Sequence, residues 1–391
     1  MLPLTPDNHY TPTILFCGGA KLDNDEQWGD YAAPRINLYE TPAQTDCSSI
    51  TPEDYNGHLI TKSYVHEGDL PEPRTMGQFI HLPDGTMAIV NGARNGTAGY
   101  SNSTWNMVDG IDQEGHSQGP TYIPVLYDPS KPRGQRLSSD NLGQSPIARL
   151  YHSSAILVPD GSVLIAGSNP HQDVAIDMPP GMTPEAFNTT YAVEKWYPPY
   201  YSLTRPKPQG LPDHILYGGA NWNFTMDAKF MGKSANRKAN NTKVMVIRPG
   251  FSTHAMNMGQ RSLQLQHTYT VHGDGSVSYM VHPMPANQNI FVQGPALLFV
   301  TIDGVPSMGK YVQIGMRSVG GAIPNNIQSG AEPNALPAAV TNPNYDAQPI
   351  SSNSSSGGSD SGNNTSASAR SSFRAPLLLA TTSLFVSLFS L

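Results

Sequence analysis

Charge is scarce in this chain. Charged residues make up 14% of its 391 positions, well under the usual quarter, and the 23 Lys and Arg fall short of the 30 Asp and Glu. With a net charge of −7, a pI near 5.9 and no basic cluster, the composition argues against nucleic acid as a partner. Heptads and long amphipathic helical stretches are missing as well, which removes coiled coils and helical bundles from consideration. Cysteine is nearly absent: Cys17 and Cys47 are the two in the chain. Turn residues, in contrast, are plentiful. The 36 glycines and 35 prolines punctuate the sequence too often for long helices. The chain reads as all-β.

The two ends differ. Met1-Leu2-Pro3-Leu4-Thr5-Pro6 offers no basic start, no apolar h-region and no cleavage motif. Ser351 to Ser372 is a Ser/Gly/Asn tract that cannot bury a core and is expected to be disordered. The apolar run from Ala375-Pro376-Leu377-Leu378-Leu379-Ala380 to Leu391 is short for a transmembrane helix, and no cytoplasmic residues follow it. Small residues, a polar spacer and a terminal apolar tail form the pattern of a glycosylphosphatidylinositol attachment signal, with the attachment point near Gly362 to Ser366. A plain tail anchor is the alternative. N-x-[ST] sequons at Asn95, Asn102, Asn188, Asn223, Asn240, Asn353, Asn363 and Asn364 fit a secreted protein. The expectation is an extracellular, cell-surface protein that touches the membrane only through a lipid anchor. Such a protein must enter the secretory pathway, so its true start is expected upstream of Met1.

Three segments share one pattern. Thr13 to Ala20, Gln78 to Gly92 and Ser154 to Gly167 are apolar runs closed by glycine, and the last two are strand, Pro-Asp-Gly turn, strand. The closing glycines fall at 18, 92 and 167, spaced 74 and 75 apart. Outer-strand candidates follow at Ile36–Tyr39, Val125–Pro129 and Val193–Pro199. A hairpin, a long loop and a further strand with an aromatic make the blade of a kelch-type β-propeller. A sandwich with similar hairpins is the weaker reading, given the regular spacing. Three blades cannot close a ring, which needs about four at least, so residues 1–204 read as the C-terminal blades of a partial propeller.

From about Arg205 the character changes. A proline-rich run leads into short strands at 243–247, 262–265, 276–281, 296–302 and 310–314, the count and alternation of an immunoglobulin-like β-sandwich over residues 205–318. Residues 319–370 read as a Ser/Gly/Asn-rich disordered linker and 371–391 as the apolar tail.

Two segments carry chemistry. The first is Arg149-Leu150-Tyr151-His152, and the second runs Arg248-Pro249-Gly250-Phe251-Ser252-Thr253-His254-Ala255-Met256-Asn257-Met258-Gly259-Gln260-Arg261. Imidazole and phenolate suit a tetragonal copper(II) site. Adjacent side chains on an extended strand point to opposite faces, so Tyr151 and His152 need a turn or bulge to share one metal. Taken alone, a Tyr-His pair is common and a lone histidine is more often structural. His81, beside Pro83-Asp84-Gly85, is read that way. The two segments together, however, resemble the copper radical oxidases, and the second resembles the glyoxal oxidase branch of the galactose oxidase-like family nearly residue for residue.

The resemblance implies one copper ion held by His152 and His254, with Tyr151 as axial ligand and proton acceptor. The sandwich domain would deliver His254 into the propeller, and blades followed by a sandwich is the order the family has. It also implies small aldehydes or primary alcohols and O₂ as partners, hydrogen peroxide as product and a monomeric enzyme. The family's second redox group is a Tyr–Cys thioether radical cofactor. Neither Cys17 nor Cys47 stands in a convincing context for it; their even count and an oxidising compartment point to a disulfide instead. That half of the chemistry is expected upstream, and the chain is expected to be inactive by itself. The competing reading is a non-catalytic cell-surface propeller binding glycan or protein, with Trp196, Tyr197, Tyr200 and Tyr201 as stacking aromatics.

Overall fold

The computed structural model describes residues 1–20, 41–54, 56–60, 63–100, 115–171, 173–176, 187–253, 256–315 and 331–346. The outer-strand candidate Ile36–Tyr39, the Ser/Gly/Asn tract and the apolar tail lie outside them. The first sheet is antiparallel, with β1 (Ile14–Cys17), β2 (Asp46–Ile50) and β3 (Val65–Asp69) in that order. The second joins β4 (Gln78–His81) to β5 (Met87–Val90). After a protruding hairpin, β6 (Ala93–Tyr100) and β7 (Gly115–Pro120), it continues with β8 (Val125–Tyr127) and β9 (Leu137–Ser138). The third is β10 (Ser154–Leu157), β11 (Val163–Ala166) and β12 (Val193–Trp196).

The hairpin turns form for a local reason. Asp84 Oδ1 accepts from the Thr86 amide at 2.9 Å and its hydroxyl at 2.7 Å, while Asp160 repeats the arrangement with Ser162 at 2.9 and 2.5 Å. Gly85 and Gly161 supply the left-handed backbone that follows.

Side-chain alternation then stacks the sheets. Met87 and Ile89 of β5 join Leu15, Cys47 and Tyr127 in one core, whereas Ala88 and Val90 join Ala155, Leu157, Val163 and Trp196 in another. The middle sheet is therefore buried on both faces, as consecutive propeller blades require.

The second domain contains β13 (His214–Ile215), β14 (Trp222–Met226), the short helices α1 (Ala228–Met231) and α2 (Ala235–Asn240), and β15 (Thr242–Arg248). The hairpin β16 (Phe251–Thr253) and β17 (Met256–Met258) follows, then β18 (Arg261–Leu265), β19 (His267–Val271), β20 (Val277–Val281), β21 (Gly294–Ile302), β22 (Val305–Pro306) and β23 (Lys310–Ile314). One sheet runs β13-β23-β21-β15-β18 and the other β14-β20-β19. Phe224 stacks on Tyr279 at 4.5 Å between them.

The central strands β15 and β21 are buried twice over. Val244, Val246, Leu298 and Val300 face the sandwich interior, and Met245, Ile247, Leu297 and Phe299 face the core of the second and third blade sheets. Polar contacts fix the same seam. Thr301 Oγ1 donates to the Pro83 carbonyl at 2.6 Å, Lys243 Nζ to the Asp84 carbonyl at 3.0 Å and the Gly309 amide to the Pro159 carbonyl at 2.7 Å. Both Pro-Asp-Gly turns are thus read by the sandwich. Gly309 is required there, because a Cβ would stand 2.5 Å from the Phe299 ring.

One expectation needs correction. Residues 331–346 fall inside the stretch expected to be a disordered linker, yet they lie along the sandwich. Val340 exchanges backbone hydrogen bonds with the edge strand β19, accepting from Val271 at 2.9 Å and donating to Tyr269 at 2.8 Å. Asn236 Nδ2 donates to the carbonyls of Asn342 and Tyr345, and its Oδ1 accepts from the Asn342 amide. An open sheet edge and one well-placed amide hold a segment whose composition alone forecasts no structure.

Phe299→Ala should cost about 3–5 kcal/mol, with blades and sandwich still unfolding in one transition by calorimetry and urea titration. Two separated transitions in the parent protein would contradict a shared core.

Candidate functional site

Tyr151 and His152 stand on the link into β10, and a turn brings them together. His152 has φ 72° and the Ser153 amide donates to the Leu150 carbonyl at 3.2 Å, so the two side chains are no longer forced to opposite faces. Their rings lie 3.9 Å apart at 32°. The backbone around them is tied down on every side. The Leu150 amide donates to Ser168 Oγ at 3.0 Å, the Asn169 amide to the Tyr151 carbonyl at 2.8 Å, Gln78 Nε2 to the Ser153 carbonyl at 2.5 Å and Asn91 Nδ2 to Ser153 Oγ at 3.1 Å. Gly167 passes so close that a Cβ would sit 3.0 Å from the His152 carbonyl.

Beneath this turn the buried Arg149 donates to the carbonyls of Gly167 and Ala192 and pairs with Glu194 at 2.8 Å. Arg74 does the same service one blade earlier, donating to the carbonyls of Asn91 and Ile123. The two arginines are 75 positions apart, the blade spacing, and sequence reading passed over that signal.

His152 is exposed, and its Nδ1 lies 3.0 Å from the Asn169 carbonyl oxygen. A carbonyl can only accept, so Nδ1 carries the proton and Nε2 keeps the lone pair of the neutral ring. Such a hydrogen bond is what orients a metal-binding imidazole. Tyr151 is buried, and burial first, then the neighbouring Tyr100, pushes its phenol above the ordinary value. Tyr100, at the end of β6, reaches within 6.2 Å of the Tyr151 ring and 6.1 Å of His152. Sequence reading missed it, since nothing local marks a tyrosine on a hairpin as belonging to a site 50 positions away. A phenol and an imidazole with a free nitrogen, side by side, make a donor set that fits copper(II).

His254 and Ala255 lie outside the described residues. The strands on either side of them are paired, Thr253 with Met256, and this hairpin leaves the sandwich to lie on the blades, β16 against β10 and β17 against β4. Gly250 starts it with φ 78°, where a Cβ would stand 2.5 Å from the Met258 carbonyl oxygen. Among the described residues no group of three or more His, Cys, Asp and Glu side chains gathers as a metal cluster. The candidate set rests instead on Tyr151 and His152, with His254 as its third member by resemblance.

The other expected residues divide clearly. Cys17 and Cys47 are cross-strand partners of β1 and β2 and are joined as a disulfide. His81 is fully enclosed at the end of β4. Of the four aromatics weighed as a sugar platform, Trp196 and Tyr200 are buried in the blade core, while Tyr197 is exposed and Tyr201 half-buried, their rings 4.4 Å apart and tilted by 52°.

Blades that share a core with an immunoglobulin-like domain, and a Tyr-His pair on the turn that leads into a blade strand, define a class. Residues 1–200 match the family described as glyoxal oxidase N-terminus, and residues 205–314 match the galactose oxidase-like early set domain. The chain belongs to the glyoxal oxidase, galactose oxidase-like family. It is 31% identical to "Aldehyde oxidase GLOX1" of Arabidopsis thaliana over 77% of this chain and 43% of that protein, and 32% identical to "Putative aldehyde oxidase Art an 7" of Artemisia annua over 80% and 47%. Galactose oxidase of Gibberella zeae is 25% identical over 66% of this chain and 33% of that one. Among solved structures, a fungal alcohol oxidase of the AA5 family in complex with copper superposes with a TM-score of 0.53 at 19% identity, covering 81% of this chain and 53% of that one. That likeness supports the fold. The chain spans less than half the length of the two plant relatives.

The buried His81 makes an acid-stability prediction. Burial, and then the positive N-terminus, holds its pKa at about 3 against 6.5 when exposed. Below pH 6.5 the unfolded chain takes up a proton that the folded chain refuses, so stability falls with pH by about 1.4 kcal/mol per unit until about pH 3. His81→Gln should flatten urea-derived stability between pH 6 and pH 4 by about that slope; an unchanged slope would show that this ring is not the cause.

Proposed function

We propose that this chain carries the copper-holding part of an extracellular copper radical oxidase of glyoxal oxidase type, which oxidises small aldehydes with O₂ to carboxylic acids and hydrogen peroxide. The observation that carries this reading is the Tyr151–His152 pair, with its rings adjacent and the free Nε2 of His152 set by Asn169. Tyr151 and His152, with His254, would hold the metal, which when bound supplies one-electron redox capacity. Primary alcohols are the alternative substrate class.

The chain's own residues have plain tasks. Asn169 and Arg149 keep His152 and its turn in place. Burial raises the proton affinity of the Tyr151 oxygen, so this side chain, held as phenolate by the metal, would be able to take up a proton from substrate. Tyr100 lies beside both rings and would border the substrate. Both cysteine sulfurs are committed to the disulfide, so neither is available for a Tyr–Cys thioether within this chain. The disulfide and the outward positions of Asn188, Asn223 and Asn240 support a secreted, glycosylated setting, with lipid anchoring through the C-terminal signal as part of the same proposal.

The test is metal binding by the purified chain. One Cu(II) per chain is expected, weakened about 10–100-fold or more in His152→Ala and His254→Ala, with a changed visible spectrum in Tyr151→Phe. No peroxide should form from methylglyoxal. Absence of stoichiometric copper binding, or binding indifferent to both histidines, would end the proposal.

A further inference from the structure

The hairpin β16–β17 leaves the sandwich and reaches the blades through two side-chain amides. Gln260 forms two hydrogen bonds with one strand: its Nε2 donates to the Phe79 carbonyl at 2.6 Å, and its Oε1 accepts from the His81 amide at 2.8 Å. A primary amide side chain matches the donor–acceptor pattern of a peptide group. Gln260 therefore caps β4 as a neighbouring strand would, from 179 positions away in sequence. Asn257 adds a longer contact on the other side, its Nδ2 3.4 Å from the Ala155 carbonyl of β10. The two contacted strands are the ones that hold the candidate site. β10 begins two residues after His152, and β4 holds the same turn through Gln78 and the Ser153 carbonyl.

We infer that Gln260, assisted by Asn257, is a positioning residue for the copper ligands: its two-point bond to β4 sets where the hairpin bearing His254 stands relative to Tyr151 and His152. This deepens the functional reading above and rests on it. The physical reason is leverage. A hairpin of two three-residue strands has little core of its own, and most of its side chains are exposed or half-exposed, so the amide contacts supply much of its orientation. Glutamate is isosteric but has no donor when ionised, and it would set a negative oxygen against the Phe79 carbonyl.

The experiment has two arms on the full chain. In the metal-free arm, hydrogen exchange followed by mass spectrometry should show the hairpin exchanging about tenfold faster in Gln260→Ala and Gln260→Glu, the scale of one lost hydrogen bond, and the His81 amide doing so in Gln260→Ala, which removes its acceptor. The protected strands β15 and β21 should be unchanged. In the copper arm, Cu(II) affinity should fall about tenfold or more, and the nitrogen splitting in the electron paramagnetic resonance spectrum should move from a two-imidazole pattern towards that of His254→Ala. A merely structural role would lower the melting temperature and leave that spectrum at the wild-type pattern. Wild-type exchange at His81 and the hairpin in both variants would overturn the inference, as would a wild-type copper spectrum in them. If the parent chain binds no copper, the functional reading fails by itself, and the exchange arm alone decides whether Gln260 holds the hairpin. Asn257→Ala, expected to give a smaller change in the same direction, guards against misfolding of either Gln260 variant.

Discussion

The structure depends on two strands that are buried on both faces. In β15 and β21 one set of alternating residues fills the sandwich, and the other set, Met245, Ile247, Leu297 and Phe299, fills the seam with the blades. At about 25 cal/mol per Å² of apolar surface, a seam of large aliphatic and aromatic side chains resists hinge motion far better than a polar linker would. The consequence is positional. A loop projecting from the sandwich can reach the blades with fixed geometry only because the platform beneath it does not swing.

On that platform the site draws on three parts of the chain. The blade repeat supplies a buried arginine under the turns into β4 and β10, and the second of these turns carries tyrosine and histidine where the first has Met76 and Gly77. The β6–β7 hairpin supplies Tyr100. The sandwich supplies the hairpin held by Asn257 and Gln260. Chemistry is grafted onto a repeat whose own purpose is packing.

Much of this was legible in the residues. Apolar runs on either side of Pro-Asp-Gly and closed by glycine marked the blade hairpins, and the spacing of 74 and 75 marked their repetition. The strands at 243–247 and 296–302 were legible too, and their nearly continuous apolar runs, unlike the alternation of a one-faced strand, correspond to burial on both faces. β2 and β3 were not foreseen. Asp46-Cys47-Ser48-Ser49-Ile50 and Val65-His66-Glu67-Gly68-Asp69 have poor strand propensity, and tertiary pairing overrides it. Residues 331–346 were misjudged for a related reason: what orders them is a partner edge and Asn236, neither of which shows in their composition. Within the site, the adjacency of Tyr151 and His152 foretold a turn, while Tyr100 was invisible because its place is set by a hairpin's reach.

Asn236 serves as a mooring point. The strap it holds includes Asp346, whose amide donates to the Lys233 carbonyl and whose carboxylate accepts from the Arg237 amide. Residues 331–346 are therefore fastened at the α2 corner of the sandwich as well as along the edge of β19. Tension applied at Asp346 would load a few side-chain and backbone hydrogen bonds at that corner before it could strain the sheet behind them.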